Sequence, residues 1–591
     1  MRRRMAFACA VLAMVATTIS GTTAFAGNGG FTTSRPSMLT PMKAGVTVTP
    51  LLTVGDVLPS GFRFEAIPDG ISLRTKGNGR VDLFVNHETS KVPFPFGYAL
   101  NPQQRPSAAN GESDFDNSQV SRLMLNQNSA GVLNGSFVVP SSGGFQRFCS
   151  NYLATSKEGF DREILFTNEE SPDYVFRQED SWPPPMGDAA EEENGVVIAV
   201  DVKHGRYQTI YGMGRHNHEN NVAIPGFTDL VVLSGDDTFT SGPLTIPPGG
   251  PNTEPSAASQ SQLYSYIASD TDSLLDDEGD LWAFVSDNTR FDDYYDFVPG
   301  SAQAVSGHFI PVPKNIATGK NSDGSEVTSA DVGYPAPPTD GSWQRDLRTP
   351  IATGIDGPQW VLEYWSQLHN VFDFVRVEDI AYDKRPGMGN VVYVVDSGRG
   401  TAGVSQPGRS TNGRVWKMVL DANDPTVVTS LSIAVEGDDN PVKTLGEIHQ
   451  PDNIETTQTG FLVTEDPGSS QQFVLADQGL PNATTARLWY VPFSGSPEVV
   501  VKIDQSADGG PTDVGPAPTG NLSIGNWGAW ETTGIVDASA GFGPGAFLIN
   551  VQAHTLWVEK APGTDSFPPA GPDFTYKREG GQLLLLRIPG V

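Results

Sequence analysis

One three-part phrase recurs six times along the chain: a short apolar segment, a strand-like run ending in Asn, Asp or Glu, and, after a loop, a second aromatic or aliphatic run. The fullest copies read HENNVAI, LVVLSGDD and QLYSYIAS between His218 and Ser269, VEDIAYD, VVYVVDSG and GRVWKMVL between Val377 and Leu420, and PDNIETT, GFLVTEDP and ARLWYVPF between Pro451 and Phe493. Looser copies are FRFEAIP, VDLFVNHE and SRLMLN (Phe62 to Asn126), CSNYLAT, EILFTNEE and VVIAVD (Cys149 to Asp201), and AWETTGIVDAS, AFLINVQAH and QLLLLRI (Ala529 to Ile588). The runs are β-branched and aromatic and are bounded by Gly, Pro, Asn and Asp, which makes them strands. A group of so few strands cannot bury both faces until neighbours stack on it around an axis. The phrase therefore predicts an all-β chain, a six-bladed β-propeller with long loop insertions. LWAFVSD (Leu281 to Asp287) is a further strand-like run, read as part of an insertion.

A length of 591 residues suits one propeller, because blades accumulate around a single axis, and 64 Gly with 46 Pro suit many turns rather than a helical domain. The organisation expected is a signal peptide over 1–26, an N-terminal extension over 27–60, and a single propeller over 61–591 with insertions near 238–262 and 288–360. MRRR, the apolar stretch Met5 to Val15, and Ala24-Phe25-Ala26 form the charged, apolar and small-x-small parts of an export signal. Export to the periplasm or beyond the cell follows, by the general route or, given Arg2 to Arg4, a twin-arginine one. No later segment has the unbroken apolar length of a membrane span.

Of two cysteines, Cys9 falls in the signal, leaving Cys149 without an internal disulfide partner. It is either an inert buried thiol or a metal ligand. The net charge of −31 repels nucleic acid and anionic lipid and attracts cations. Most of these carboxylates only face water; those at regular places in the phrase need another account.

In a propeller the first strand of each blade lies nearest the axis, so residues opening those strands converge on one mouth of the channel. That geometry gathers Cys149, Glu219, Glu378, Asp452 with Asn453, and Glu531. Like charges so close raise one another's pKa values unless a cation sits among them, which predicts a multivalent metal site. Oxygen donors favour Ca²⁺ or Mg²⁺, and the added thiolate admits iron or zinc. No HExxH, CxxC or EF-hand loop occurs. A second ring is expected where the middle strands end: Asn86, His87 and Glu88; Asn168, Glu169 and Glu170; Asp236 and Asp237; Glu465 and Asp466. Turn chemistry explains part of that ring, and paired acids such as Glu169-Glu170 less well. Arg376 stands two residues before Glu378, which on an extended strand puts both on one face. There it either pairs with an acid or grips an anion such as phosphate with its planar fork.

Val85 to Glu88 (VNHE), Cys149 with its N-E-E strand end, GRHNHEN with LSGDD, FVRVEDI, PDNI with LVTED, and FLINVQAH follow one another in an order that resembles the PhoX-type alkaline phosphatases, from about Phe62 to about Val591. The resemblance implies a six-bladed propeller holding Fe³⁺ and Ca²⁺ and hydrolysing a small phosphorylated substrate outside the cytoplasm, as a monomer. It implies Cys149 as an iron-ligating thiolate, with Glu169 or Glu170, Glu219, Glu378 and Asp452 as metal ligands, and the second ring adds Glu88 and Asp237 as candidate ligands. Arg376, Glu219 and Glu378 become the catalytic set, and Arg376 with Asn453 the substrate contacts. Two other readings of the same residues are a calcium-dependent lactonase or esterase propeller and a non-catalytic binding propeller stiffened by calcium.

Overall fold

The computed structural model describes residues 29–65, 67–88, 118–172, 174–176, 191–238, 261–300, 302–339, 343, 354–398, 412–437, 446–466, 485–504, 530–559 and 574–591. The signal peptide expected over 1–26 and most of the insertion near 238–262 lie outside these residues. The chain is mostly β, and its sheets take a propeller-like arrangement. Four sheets have four or five strands each, one has nine, and a two-stranded ribbon is added.

Packing explains the sequence pattern. Middle strands such as Leu230–Asp236 and Val391–Asp396 are buried along their whole length, because both faces of their sheet are covered; they read as unbroken apolar runs. Outer strands such as Arg206–Ile210 and Ala304–Pro311 alternate exposed and buried residues. Apolar layers fill the gaps between successive sheets. Phe84 and Val120 pack with Leu165 and Ile198, Phe166 and Ala199 with Val232 and Tyr264, and Leu548 and Leu583 return to Leu83 and Leu123 of the first sheet.

Six strands open the successive strand groups: Pro68–Gly77, Phe148–Ala154, His218–Ile224, Val377–Tyr382, Pro451–Thr456 and Glu531–Asp537. Each adjoins the next, and the last adjoins the first. His218–Ile224 and Val377–Tyr382 are the two edges of the nine-stranded sheet, which nearly closes on itself because those edges meet.

Two expectations are corrected. The first sheet opens with Pro68–Gly77 and not with the FRFEAIP segment, of which only the last residue, Pro68, belongs to that strand. LWAFVSD is no insertion: Asp280–Ser286 pairs with Leu263–Ala268 as the fourth strand of its group. Beyond it, Ala304–Pro311 pairs on one side with Asp280–Ser286 and on the other with Val427–Glu436, which joins two four-stranded groups into nine strands. Residues of the 27–60 segment complete two other sheets, Leu39–Pro41 beside Glu498–Ile503 and Thr47–Thr53 beside Phe574–Arg587. Among the described residues no helix is long and apolar enough to cross a membrane.

Candidate metal centre

The opening strands share one irregularity. Pro68 pairs with His87, Phe148 with Glu169, His218 with Asp236, Val377 with Asp396 and Pro451 with Glu465, and after each of these pairs the register slips by one residue. A bulge of this kind re-aims the side chains inside it. The residue that enters each bulge is Asp69, Cys149, Glu219, Glu378 or Asp452. In the Glu531–Asp537 strand the slip comes later, after Thr533, so Gly534 enters the bulge and Glu531 stands outside the ring.

A second ring follows from a repeated backbone hydrogen bond. The amides of Glu88, Glu170, Asp237, Ser397 and Asp466 donate to the carbonyls of Ile67, Arg147, Asn217, Arg376 and Gln450, at 2.9 to 3.1 Å. Each bond folds the residue after the middle strand back over the opening strand, beside the first ring.

The two rings meet in three overlapping groups whose donor atoms lie within 4.8 Å of one another: Asp69, Glu88 and Cys149; Cys149, Glu170 and Glu219; Glu219, Glu378 and Asp452. Cys149 and Glu219 each belong to two groups, so the donors form one continuous chain across four sheets. The Cys149 thiol donates to Asp69 Oδ2 at 2.9 Å. Glu219 Oε1 accepts from the Ser150 hydroxyl at 2.7 Å, while its Oε2, fully buried, has no hydrogen-bond partner. Buried charge without a partner costs several kcal/mol, so an orphaned carboxylate oxygen amid other donors fits a cation. Six carboxylates and a single thiol suit hard cations together with one that accepts sulfur, as Ca²⁺ and Fe³⁺ do.

Electrostatics agree. Burial first, then the charges of Glu378, Glu170, Asp452 and Asp69, hold the Glu219 carboxyl well above its ordinary pKa. Burial and Asp237 do the same to Glu378, burial and Glu378 to Asp452, and burial and Glu88 to Asp69. Burial and then Asp69 raise the Cys149 thiol. Metal binding reverses these tendencies, because ligands must give up their protons.

Arg376 does not lie on an extended strand as expected. Its φ is +63°, a left-handed conformation, and the strand starts one residue later. That turn, with the bulge behind it, still brings Nη2 to 3.1 Å from Glu378 Oε1, while Nε and Nη2 each donate to an Asp237 oxygen at 2.8 Å. Burial opposes the guanidinium charge, and Asp237 and Glu378 outweigh it, keeping Arg376 protonated. Ser397 donates to Glu378 Oε1 from the other side.

Five predicted residues sit elsewhere. Glu169 and Glu170 fall on opposite faces of their strand end, and it is Glu170 that joins the donors. Glu169 Oε1 accepts from the Gln146 amide at 3.0 Å, and its Oε2 accepts from Gly195 and Val196 at 3.1 and 3.3 Å, so it organises loops. Glu465 has the same task, holding the His449 amide, Arg487 and the Trp489 indole. Asp237 is engaged by Arg376 and belongs to none of the three donor groups found among the described residues. Asn453 is committed behind the ring: its Nδ2 donates to Ser150 Oγ at 3.1 Å and Asp452 Oδ1 at 3.3 Å, and its Oδ1 accepts from Thr533 at 2.9 Å. Those bonds tie its amide to Asp452 of the donor ring and to the neighbouring strands. Glu531 feels Asp466, Asp69 and Glu88 but joins no donor group.

Sequence reasoning missed Asp69 and Arg147. Pro68-Asp69-Gly70-Ile71 repeats Pro451-Asp452-Asn453-Ile454, a signal that could have found the first. Arg147 precedes Cys149 by two residues, as Arg376 precedes Glu378, and that spacing could have found the second.

No family model matches this chain, and no curated protein matches it. Among solved structures it is similar to an ulvan lyase of polysaccharide lyase family PL25 (7% identity, 94% of this chain and 92% of that one, TM-score 0.30). It is also similar to the haemagglutinin-neuraminidase ectodomain of parainfluenza virus 5 (10% identity, 91% and 86%, TM-score 0.27) and to the NanB sialidase of Streptococcus pneumoniae (10%, 77% and 70%, TM-score 0.25). Superposition this loose transfers neither substrate nor reaction, so function rests on the site itself.

Proposed function

We propose that this chain is an exported, metal-dependent phosphomonoester hydrolase similar to the PhoX-type alkaline phosphatases, built on a six-bladed propeller in which the nine-stranded sheet counts as two blades. The observation that carries the reading is the conjunction at one mouth of three overlapping donor groups, an unpartnered Glu219 oxygen among them, and a protonated arginine touching the third group. Asp69, Glu88, Cys149, Glu170, Glu219, Glu378 and Asp452 would hold the cations, with Fe³⁺ towards Cys149 and Ca²⁺ among the carboxylates. Cations bound there supply Lewis acidity to phosphoryl oxygens and a water of lowered pKa. The chain's own residues do the rest. Arg376 grips the phosphoryl group through its fork, and Asp237 and Glu378 fix the plane of that fork. Ser150 and Asn453 hold Glu219 and Asp452 in place, so the donors need little rearrangement.

The test is hydrolysis of a chromogenic phosphomonoester by natively exported, metal-loaded protein. Activity is expected, with Arg376→Ala lowering kcat/KM by about 100-fold or more. Metal-loaded protein that leaves the ester intact, or an Arg376→Ala variant as active as the parent, would contradict the reading. Hydrolysis of a lactone instead, with calcium but no iron bound, would turn it to the esterase alternative.

A further inference from the structure

A second arginine shares the mouth. The residue just before each opening strand is Ile67, Arg147, Asn217, Arg376, Gln450 or Trp530, so only two of the six slots carry a cation. Arg147 and Arg376 occupy that slot in an uncommon backbone, φ +48° and +63°, which Gln450 shares at +48°. A non-glycine residue in the left-handed region costs of order 1 kcal/mol or more and persists where the surroundings require it. Both carbonyls are held alike, by the amides of Glu170 and Ser397. Arg147 Nη2 lies 3.4 Å from Glu170 Oε2 in the second donor group, and Arg376 Nη2 lies 3.1 Å from Glu378 Oε1 in the third. Those two carboxylates share a neighbour, because each donor atom is within 4.8 Å of a Glu219 oxygen. Each guanidinium group thus touches a carboxylate that neighbours Glu219 in one continuous donor cluster. Their exposure differs. Arg376, which binds both Asp237 oxygens, is only 14% exposed, whereas the Arg147 side chain is 39% exposed.

We propose that Arg147 is a specificity-determining residue that grips a second anionic group, a carboxylate or a phosphate on the leaving group, while Arg376 holds the phosphoryl group. The preferred substrate class is then a doubly anionic phosphomonoester, a phosphorylated hydroxy acid or a bisphosphate, rather than an ester of a neutral alcohol. This rests on the phosphomonoesterase reading for its chemistry, though not for its geometry. A guanidinium suits the role because its planar fork matches either anion with two parallel donors, and at a mouth so rich in carboxylates an unassisted second anion would be repelled.

The test is equilibrium binding, by calorimetry, of three non-hydrolysable probes to metal-loaded protein: propylphosphonate, 3-phosphonopropionate and propane-1,3-diphosphonate. Wild type is expected to favour one or both doubly anionic probes over propylphosphonate, and which of them is favoured separates a carboxylate from a phosphate partner. Arg147→Gln should shrink that preference by about 10- to 100-fold, the range that hydrogen bonds to charged groups support. Arg147→Lys, which keeps charge without the fork, should retain part of it and serves if the glutamine variant melts early. Arg376→Gln should weaken all three probes alike. Equal loss for single and double anions in Arg147→Gln, or no preference in wild type, overturns the proposal. A preference that depends on Arg147 in a protein that hydrolyses no phosphomonoester would uphold the double-anion site and sink the phosphatase reading.

Discussion

At the scale of single residues, the site depends on groups that touch ligands without being ligands. Ser150 donates to Glu219 Oε1 and accepts from Asn453 Nδ2, so one hydroxyl fixes a donor on one strand to a positioning amide on another. A hydrogen bond that orients a metal-binding carboxylate is worth about 10- to 100-fold in metal affinity. Ser150→Ala is therefore expected to weaken metal binding by that factor with little change in melting temperature, as titration of chelator-treated protein would show; undiminished affinity would remove Ser150 from the account. The donor residues themselves were partly legible in the sequence, because Cys149, Glu219, Glu378 and Asp452 each open a strand of the repeated phrase. Asp69 was masked, although its Pro-Asp-x-Ile phrase matches that of Asp452, because the apolar FRFEAIP segment that runs up to it looks as strand-like as the true strand. Choosing between Glu169 and Glu170 also lay beyond reach: adjacent residues of one type face opposite ways, and only the register decides which one meets the channel.

At the scale of elements, the bulge is what turns alternating strands into a ring of donors, and it leaves carbonyls that need partners. Asparagine amides supply them: Asn86 donates to Cys149 and Ser150 carbonyls at 2.9 and 3.0 Å, Asn168 to the Glu219 carbonyl at 2.9 Å, and Asn550 to that of Asp69. Turn chemistry is what such asparagines suggest in sequence, and a bulge has no signature that periodicity can reveal. The helix Pro358–Leu368 makes a separate statement about pH. Burial, and then the charge of Asp236, push Glu363 up to about 8, although Gln262 and Gln367 donate to it at 3.0 Å. A carboxyl with its folded pKa raised contributes stability that is complete below the unfolded value and is lost as pH rises through about 8. Melting temperature should fall between pH 6 and pH 9, and Glu363→Gln should flatten that slope; an equally steep slope in the variant would show that other groups dominate.

At the scale of the whole molecule, closure joins chain ends that are far apart in sequence. Leu39–Pro41 and Thr47–Thr53 supply outer strands to the last two sheets, with Leu51 and Leu52 fully buried against them. Each such leucine is worth about 1.5–3 kcal/mol on burial, and removal also bares two sheet edges. Deleting residues 29–53 should lower the melting temperature markedly and promote association, as calorimetry and light scattering would register. The β class and its repeating groups were readable because propeller strands are short, apolar and evenly bounded by turns. Less readable was the joint made by Ala304–Pro311, since its pairing with Val427–Glu436 crosses more than a hundred residues and has no local cause. The central claim is that donors from four sheets gather around cations, and elemental analysis of natively exported protein tests it most directly. Iron and calcium should both be bound, and both should be lost or much reduced in Glu219→Gln. Protein that carries no multivalent cation, yet folds and melts like the variant, would contradict the account.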